Sequence, residues 1–334
     1  MIKGYKRIKI LSEAEIEDLY ALPKFTLSER KLFFSLDKKE IKLIESIPDI
    51  PSKIYTILQL GYFKAKNILF NFKFEEITRD VHFVINSYFP EQRKSKTILL
   101  KAKKVLADEQ ILEILGWVKF DSRRKAEVLE YAITISRIHA NHIDIFREVL
   151  SFFENNKITL PGYTVLQDII SFAVNSEYIR LENIIKNNIS PALSELLSNF
   201  KDMTEVKKNR LNKTFDLLKH EQKNFRTNQL QLESAKSLIY SRYYNTIKSL
   251  ILKLEISAKC VSYYAAMFDT FSADRVENFE THFRHLCLIC SIYHNRQIMQ
   301  DNAITSFIYH NNSFTKGSVT YINENFSNIA NIMR

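Results

Sequence analysis

The side chains best suited to chemistry gather late in the chain. Cys287, Cys290 and His294 stand three and four residues apart, with His282 and His285 just upstream, so one helical face would carry two thiols and an imidazole. Zinc accepts those ligand types. The surroundings argue against it. Leu286, Leu288 and Ile289 flank the cysteines, whereas a structural zinc pair sits on a polar turn and is completed by a second pair. The two thiols read as small hydrophobes inside an apolar helix, and no metal is expected. His139 and His142 flank Asn141, but no nucleophile or paired carboxylate lies beside them to complete a catalytic set. The sequence holds no Gly-rich phosphate loop, no Gly-x-Ser-x-Gly elbow and no His-Glu-x-x-His helix. Its acids are scattered. Neither a cofactor nor catalysis is expected from this pattern.

The positive signal is charge. Against 38 acids stand 48 lysines and arginines, a formal net charge of +10, which favours a polyanionic partner. Arg93, Lys94, Lys96, Lys101, Lys103 and Lys104 follow one another with no acid between them. Lys64 and Lys66 close an expected helix. Arg123 and Arg124, with Lys125, open another, where the helix dipole disfavours cations and a nearby anion would offset that cost. The DNA-contact set is therefore Lys64, Lys66, Arg93, Lys94, Lys96, Lys101, Lys103, Lys104, Arg123 and Arg124, acting on the phosphates of double-stranded DNA. The alternative is a helical protein-interaction module with no DNA role, whose cations would be spread over all faces.

The elements that must carry these residues are helical. The 334 residues include 5 glycines and 6 prolines, and 46% are hydrophobic, a composition of long helices with few tight loops. Ser12-Glu13-Ala14-Glu15 and Asp37-Lys38-Lys39-Glu40 are capping boxes. Pro23, Pro48 and Pro90 end helices. Phe70, Phe72 and Phe74 alternate as an extended link. Asp108 is expected to cap a helix that Gly116 closes. Asp121-Ser122 and Ser257 cap two more. Phe279, Phe283, Leu286, Cys290 and Tyr293 recur at helical spacing as a buried face. The expected fold is all-α: tandem helix-turn-helix-like units over 1–74 and 75–160, a larger helical region over 161–310, and an irregular Asn- and Ser-rich tail over 311–334. Leu160-Pro161-Gly162 is the fixed turn between the second and third. Three cysteines make no disulfide framework, and no apolar run approaches a membrane span. A cytoplasmic location away from membranes is expected.

Several ordered segments resemble one family. Leu11 to Glu15, Tyr20 to Pro23 and Gln59-Leu60-Gly61-Tyr62-Phe63-Lys64 are similar to the amino-terminal region of the Tn-three family of replicative transposases. So are Leu160-Pro161-Gly162-Tyr163-Thr164-Val165-Leu166-Gln167-Asp168 and, further on, Leu254-Glu255-Ile256-Ser257 and Gln300-Asp301-Asn302-Ala303-Ile304. The resemblance covers roughly Leu11 to His310. It implies tandem helical domains that bind transposon terminal inverted repeats during DNA transposition. It also implies a truncated or fragmentary transposase, since no position here matches the family's magnesium-dependent acidic triad. A second copy or a full-length transposase is the protein partner it implies.

Overall fold

The computed structural model describes residues 7–91, 104–189, 191, 194, 227–271, 275–276 and 278–332. The protein is all-α. Among the described residues the extended pairing is a single parallel bridge, Val118 to Ile158. Contacts divide the chain into two compact units, 1–136 with 141–176, and 137–140 with 177–334.

Unit 1 is built on α4 (Ile50–Lys66). Asp49 caps it by accepting the Ser52 amide at 2.8 Å, and Pro51 lies in the first turn. Ile54, Ile57, Leu58, Leu60, Tyr62 and Phe63 are all fully buried. A helix apolar on every side is a central helix. Around it lie α2 (Leu27–Phe33), α3 (Lys38–Ser46), α5 (Thr78–Tyr88) and α6 (Lys104–Leu115). One aromatic core joins Phe25, Phe34, Tyr62, Phe70 and Phe72 with Ile77, Val81 and Val84, so it draws on both sides of residue 75. The capping boxes at Ser12 and Asp37 form as expected, starting α1 (Glu13–Tyr20) and α3, and Thr26 and Glu29 form a third at α2. Phe70 and Phe72 lie in the link after α4, whereas Phe74 opens a turn whose carbonyl accepts from Ile77 N at 3.3 Å; all three pack on that core.

The segment resembling the transposase motif is architectural throughout. Gln59 is fully buried; its amide donates to Phe70 O at 3.1 Å and Asp108 Oδ1 at 2.9 Å and accepts from Phe70 N at 3.3 Å. Gly61 is required because a Cβ there would meet Phe34 Cδ1 at 2.3 Å. The Tyr62 hydroxyl donates to Asp80 Oδ2 at 2.6 Å, while Arg30 holds the other carboxylate oxygen at 2.6 Å.

Two expectations are corrected here. Asp108 is not a cap: α6 begins at Lys104, and Asp108 lies within it as the acceptor for the buried Gln59 amide. Burial raises its carboxyl above the ordinary range. The region after 311 is not irregular. It continues the last helix to Ile332, because extending an existing helix adds a hydrogen bond per residue without a new nucleus, and this outweighs the modest propensities of Asn and Ser.

A second core in unit 1 packs α7 (Ser122–Ser136), α8 (His142–Asn155) and the start of α9 (Tyr163–Asn188), with Ile158, Leu166, Ile169 and Ile170 at its centre. Tyr20 and Leu160 touch both cores. The Leu160-Pro161-Gly162 turn is thus internal to unit 1, and the unit boundary falls later, within α9. The turn collects distant chain. Tyr20 Oη donates to Pro161 O at 2.9 Å, Leu160 N to Asn67 O at 3.3 Å, and Leu11 N to Tyr163 Oη at 3.2 Å. Gln167 donates to Ile8 O, and Asp168 pairs with Arg7 at 2.6 Å.

Unit 2 packs α10 (Thr227–Leu254) and α11 (Ala258–Thr270) against α12 (Thr281–Ile332). Ser257 caps α11 by accepting the Cys260 amide, and its hydroxyl donates to Ile138 O at 2.6 Å.

Candidate nucleic-acid interface

The ten expected DNA contacts fall into three groups. Arg93, Lys94, Lys96, Lys101 and Lys103 lie outside the described residues. Lys64, Lys66 and Lys104 are occupied within the fold. Lys64 Nζ donates to Ser35 O and pairs with Glu40, both at 2.8 Å. Glu40 is buried and also closes the α3 capping box, so Lys64 holds α4 to the start of α3. Lys66 Nζ donates to the Asp18 carbonyl. Lys104 Nζ reaches Asn71 Oδ1 and Phe72 O at 3.3 Å and stands over the Tyr55 ring, pinning α6 to the extended link.

Arg123 and Arg124 form the third group, at the start of α7. Asp121 accepts the Arg124 amide at 2.8 Å. Arg124 pairs with Glu127 at 2.7 Å and is one-third exposed. Arg123 lies 3.5 Å from the same carboxylate and is 83% exposed, a separation and setting that leave it largely free for another anion.

Two lysines not expected from the sequence stand on the segments paired just before α7. Gly116, with φ of 67°, ends α6 and turns the chain into Trp117-Val118-Lys119-Phe120. Val118 N donates to Lys157 O at 2.8 Å, and Thr159 N returns a bond to Val118 O at 2.9 Å. Phe120 N is held by Thr159 Oγ1 at 3.0 Å. This bridge sets Lys157 beside Gly116 and next to the Lys119 segment, immediately before the α7 cap. Lys119, Arg123, Lys125 and Lys157 are all exposed. The sequence signal was faint: two short alternating tripeptides, Val118-Lys119-Phe120 and Ile158-Thr159-Leu160, flanking a helical hairpin. Lys157 is also one of the few non-glycine residues at positive φ, 52°. Glycine or asparagine would take that position more easily, so its side chain is kept at some conformational cost.

Residues 10–173 match a protein-family profile described as Domain of unknown function (DUF4158). The matched span ends close to the boundary of unit 1 at Ser176. It contains the aromatic core, the Leu160-Pro161-Gly162 turn and the Lys119–Lys157 surface. No curated protein matches the chain.

The late cysteine pair is placed in the core of unit 2. Cys287 and Cys290 are fully buried, and burial pushes the Cys287 thiol up to about 12 and Cys290 well above its ordinary value. Among the described residues no group of three or more His, Cys, Asp or Glu side chains is arranged to hold a metal ion. Among them, too, no helix is long and apolar enough to cross a membrane.

Proposed function

We propose that unit 1 binds double-stranded DNA, and that the ligand is the terminal inverted repeat of a transposon recognised during DNA transposition. The observation that carries the reading is that four exposed cations, Lys119, Arg123, Lys125 and Lys157, stand on the two segments joined by the Val118–Ile158 bridge and on the first turn of the helix that follows. Phosphates spaced along a duplex suit such a group, because each cation releases a condensed counterion on contact. The family match supports the transposase context, since the matched domain is found in Tn-three family transposases. The reading assigns no strand-transfer chemistry to this chain and places it in the cytoplasm with its DNA.

The deciding experiment is a gel shift of the full chain on the inverted repeats that flank its gene, with shuffled duplexes of equal length as competitor. Preferential retardation of the repeats is the expected result. Equal binding to both would leave only nonspecific phosphate contact, and no binding to either would remove the DNA reading.

A further inference from the structure

One helix of unit 1 opposes the charge of the chain around it. α1 carries Glu13, Glu15, Glu17 and Asp18 and no base, in a protein of net charge +10. Its Leu19 and Tyr20 pack on the second core of unit 1. Ala14, Glu17, Asp18 and Ala21 fall on another face, at the i, i+3, i+4 and i+7 positions of the helix, and line a groove of about 560 Å³. Phe25 and Phe33 line it as well, their rings stacked with centroids 5.0 Å apart, and Glu29 stands one turn before Phe33 on α2. The end of α4 closes it with Ala65 and Lys66. Short side chains at Ala14, Ala21 and Ala65 leave the space open, at a volume within the usual range of binding pockets.

We propose that this groove docks a basic segment of a partner protein, a short peptide with Lys or Arg residues around one large apolar side chain. Two observations select that occupant. The first is charge. On the groove and its α1 wall, Glu13, Glu15, Glu17, Asp18 and Glu29 outnumber Lys24 and Lys66, and the Lys66 ammonium is already held by the Asp18 carbonyl. Glu17, Asp18 and Glu29 are exposed. DNA phosphates and anionic lipid headgroups would meet these carboxylates as like charges, whereas Lys and Arg side chains would be steered to them and pair with them. The second is the apolar lining. Phe33 is only half-buried, and with Phe25 it offers a stacked aromatic surface that a small soluble cation would leave uncovered. A peptide covers it with one anchoring side chain while its charged neighbours reach the acids. The groove shares no residue with the surface proposed above to hold DNA.

The test selects random peptides displayed on phage against the full chain, then measures the enriched peptides by fluorescence anisotropy. The expected sequences carry Lys or Arg on both sides of an aromatic residue or leucine. Glu17→Lys/Asp18→Lys should weaken them about tenfold, the scale of reversing two exposed ion pairs. Ala14→Trp, which fills the groove without changing its charge, should weaken them as much. Glu13→Lys reverses a charge on the same helix outside the groove lining and should cost less than Glu17→Lys alone. All four positions are exposed, so each variant should keep its helix content by circular dichroism. Enrichment of no basic sequence would overturn the proposal, as would basic peptides that bind Ala14→Trp as tightly as the wild type. Equal losses in Glu13→Lys and Glu17→Lys would reduce the effect to net charge and overturn it too.

Discussion

Replacing Lys119, Arg123, Lys125 and Lys157 together by alanine should flatten the salt dependence of DNA binding by an amount that can be stated in advance. Each cation that neutralises a phosphate contributes about 0.9 to the slope of log affinity against log salt, so four contribute about 3.6. A fourfold rise, such as from about 50 to 200 mM salt, would then cost the wild type about 150-fold more affinity than the variant. The geometry supports full weight for these four, all of them exposed. Arg123 in particular is held at 3.5 Å from Glu127 in an 83% exposed position, where an ion pair competes weakly with a phosphate. Arg124 is the internal control: its tighter Glu127 pair, at 2.7 Å, predicts a smaller change in slope for Arg124→Ala. The assay is fluorescence anisotropy of a labelled repeat duplex at stepped salt concentrations. Lys157→Gly separates fold from function. Glycine accepts the φ of 52° that lysine resists, so the variant should be as stable as the wild type, or more stable by about 1 kcal/mol, while binding DNA less well. A slope unchanged in the quadruple variant would refute the assignment of this surface.

Other substitutions probe the fold that positions it. Gly61→Ala would drive a Cβ to 2.3 Å from the Phe34 ring, which is itself buried, and should cost unit 1 about 1–3 kcal/mol in thermal or urea unfolding while leaving unit 2 unchanged. Lys64→Met strands the buried Glu40 carboxylate and should destabilise unit 1 by about 3 kcal/mol, with the DNA salt slope of the folded protein unaffected. In unit 2, burial lowers His285 from 6.5 to about 4, and both ring nitrogens lack hydrogen-bond partners. The unfolded chain therefore binds the extra proton between those values. Stability from this group is present above about pH 6.5 and is lost as pH falls towards 4, by about 3 kcal/mol in all. His285→Leu should remove that part of the pH dependence in unfolding midpoints measured across the range.

The helices were legible where a side chain and its target lie within one turn. Ser12 with Glu15, Asp37 with Glu40, and Ser257 with Cys260 all act locally, and a local pattern reveals them. Partners that come from another element were not legible. Lys64 reads as a free basic residue until Glu40 is brought to it from α3. Asp108 reads as a cap until Gln59 of α4 requires an acceptor. The same applies to the candidate surface: Arg123 was legible as a cation at a helix start, but Lys157 joins it only through a backbone bridge to Val118. The continuation of the final helix past 311 was missed for another reason. Its residues beyond 311 are individually modest helix formers, and what carries them is the helix already formed before them.

The threading of residues 7–11 against α9 has a kinetic consequence. Ile8 N donates to Ser171 Oγ and Arg7 pairs with Asp168, partners 163 and 161 residues away. On a ribosome, this early segment emerges long before the helix that holds it. The core around α4 can close on its own contacts, but the Ile10 site stays open until α9 has been made. Closing so long a loop is slow relative to forming local helices. The amino-terminal segment of unit 1 should thus be among its last parts to gain protection from hydrogen exchange during synthesis. Any fusion that delays its docking leaves Ile10's apolar neighbours exposed to other chains in the meantime.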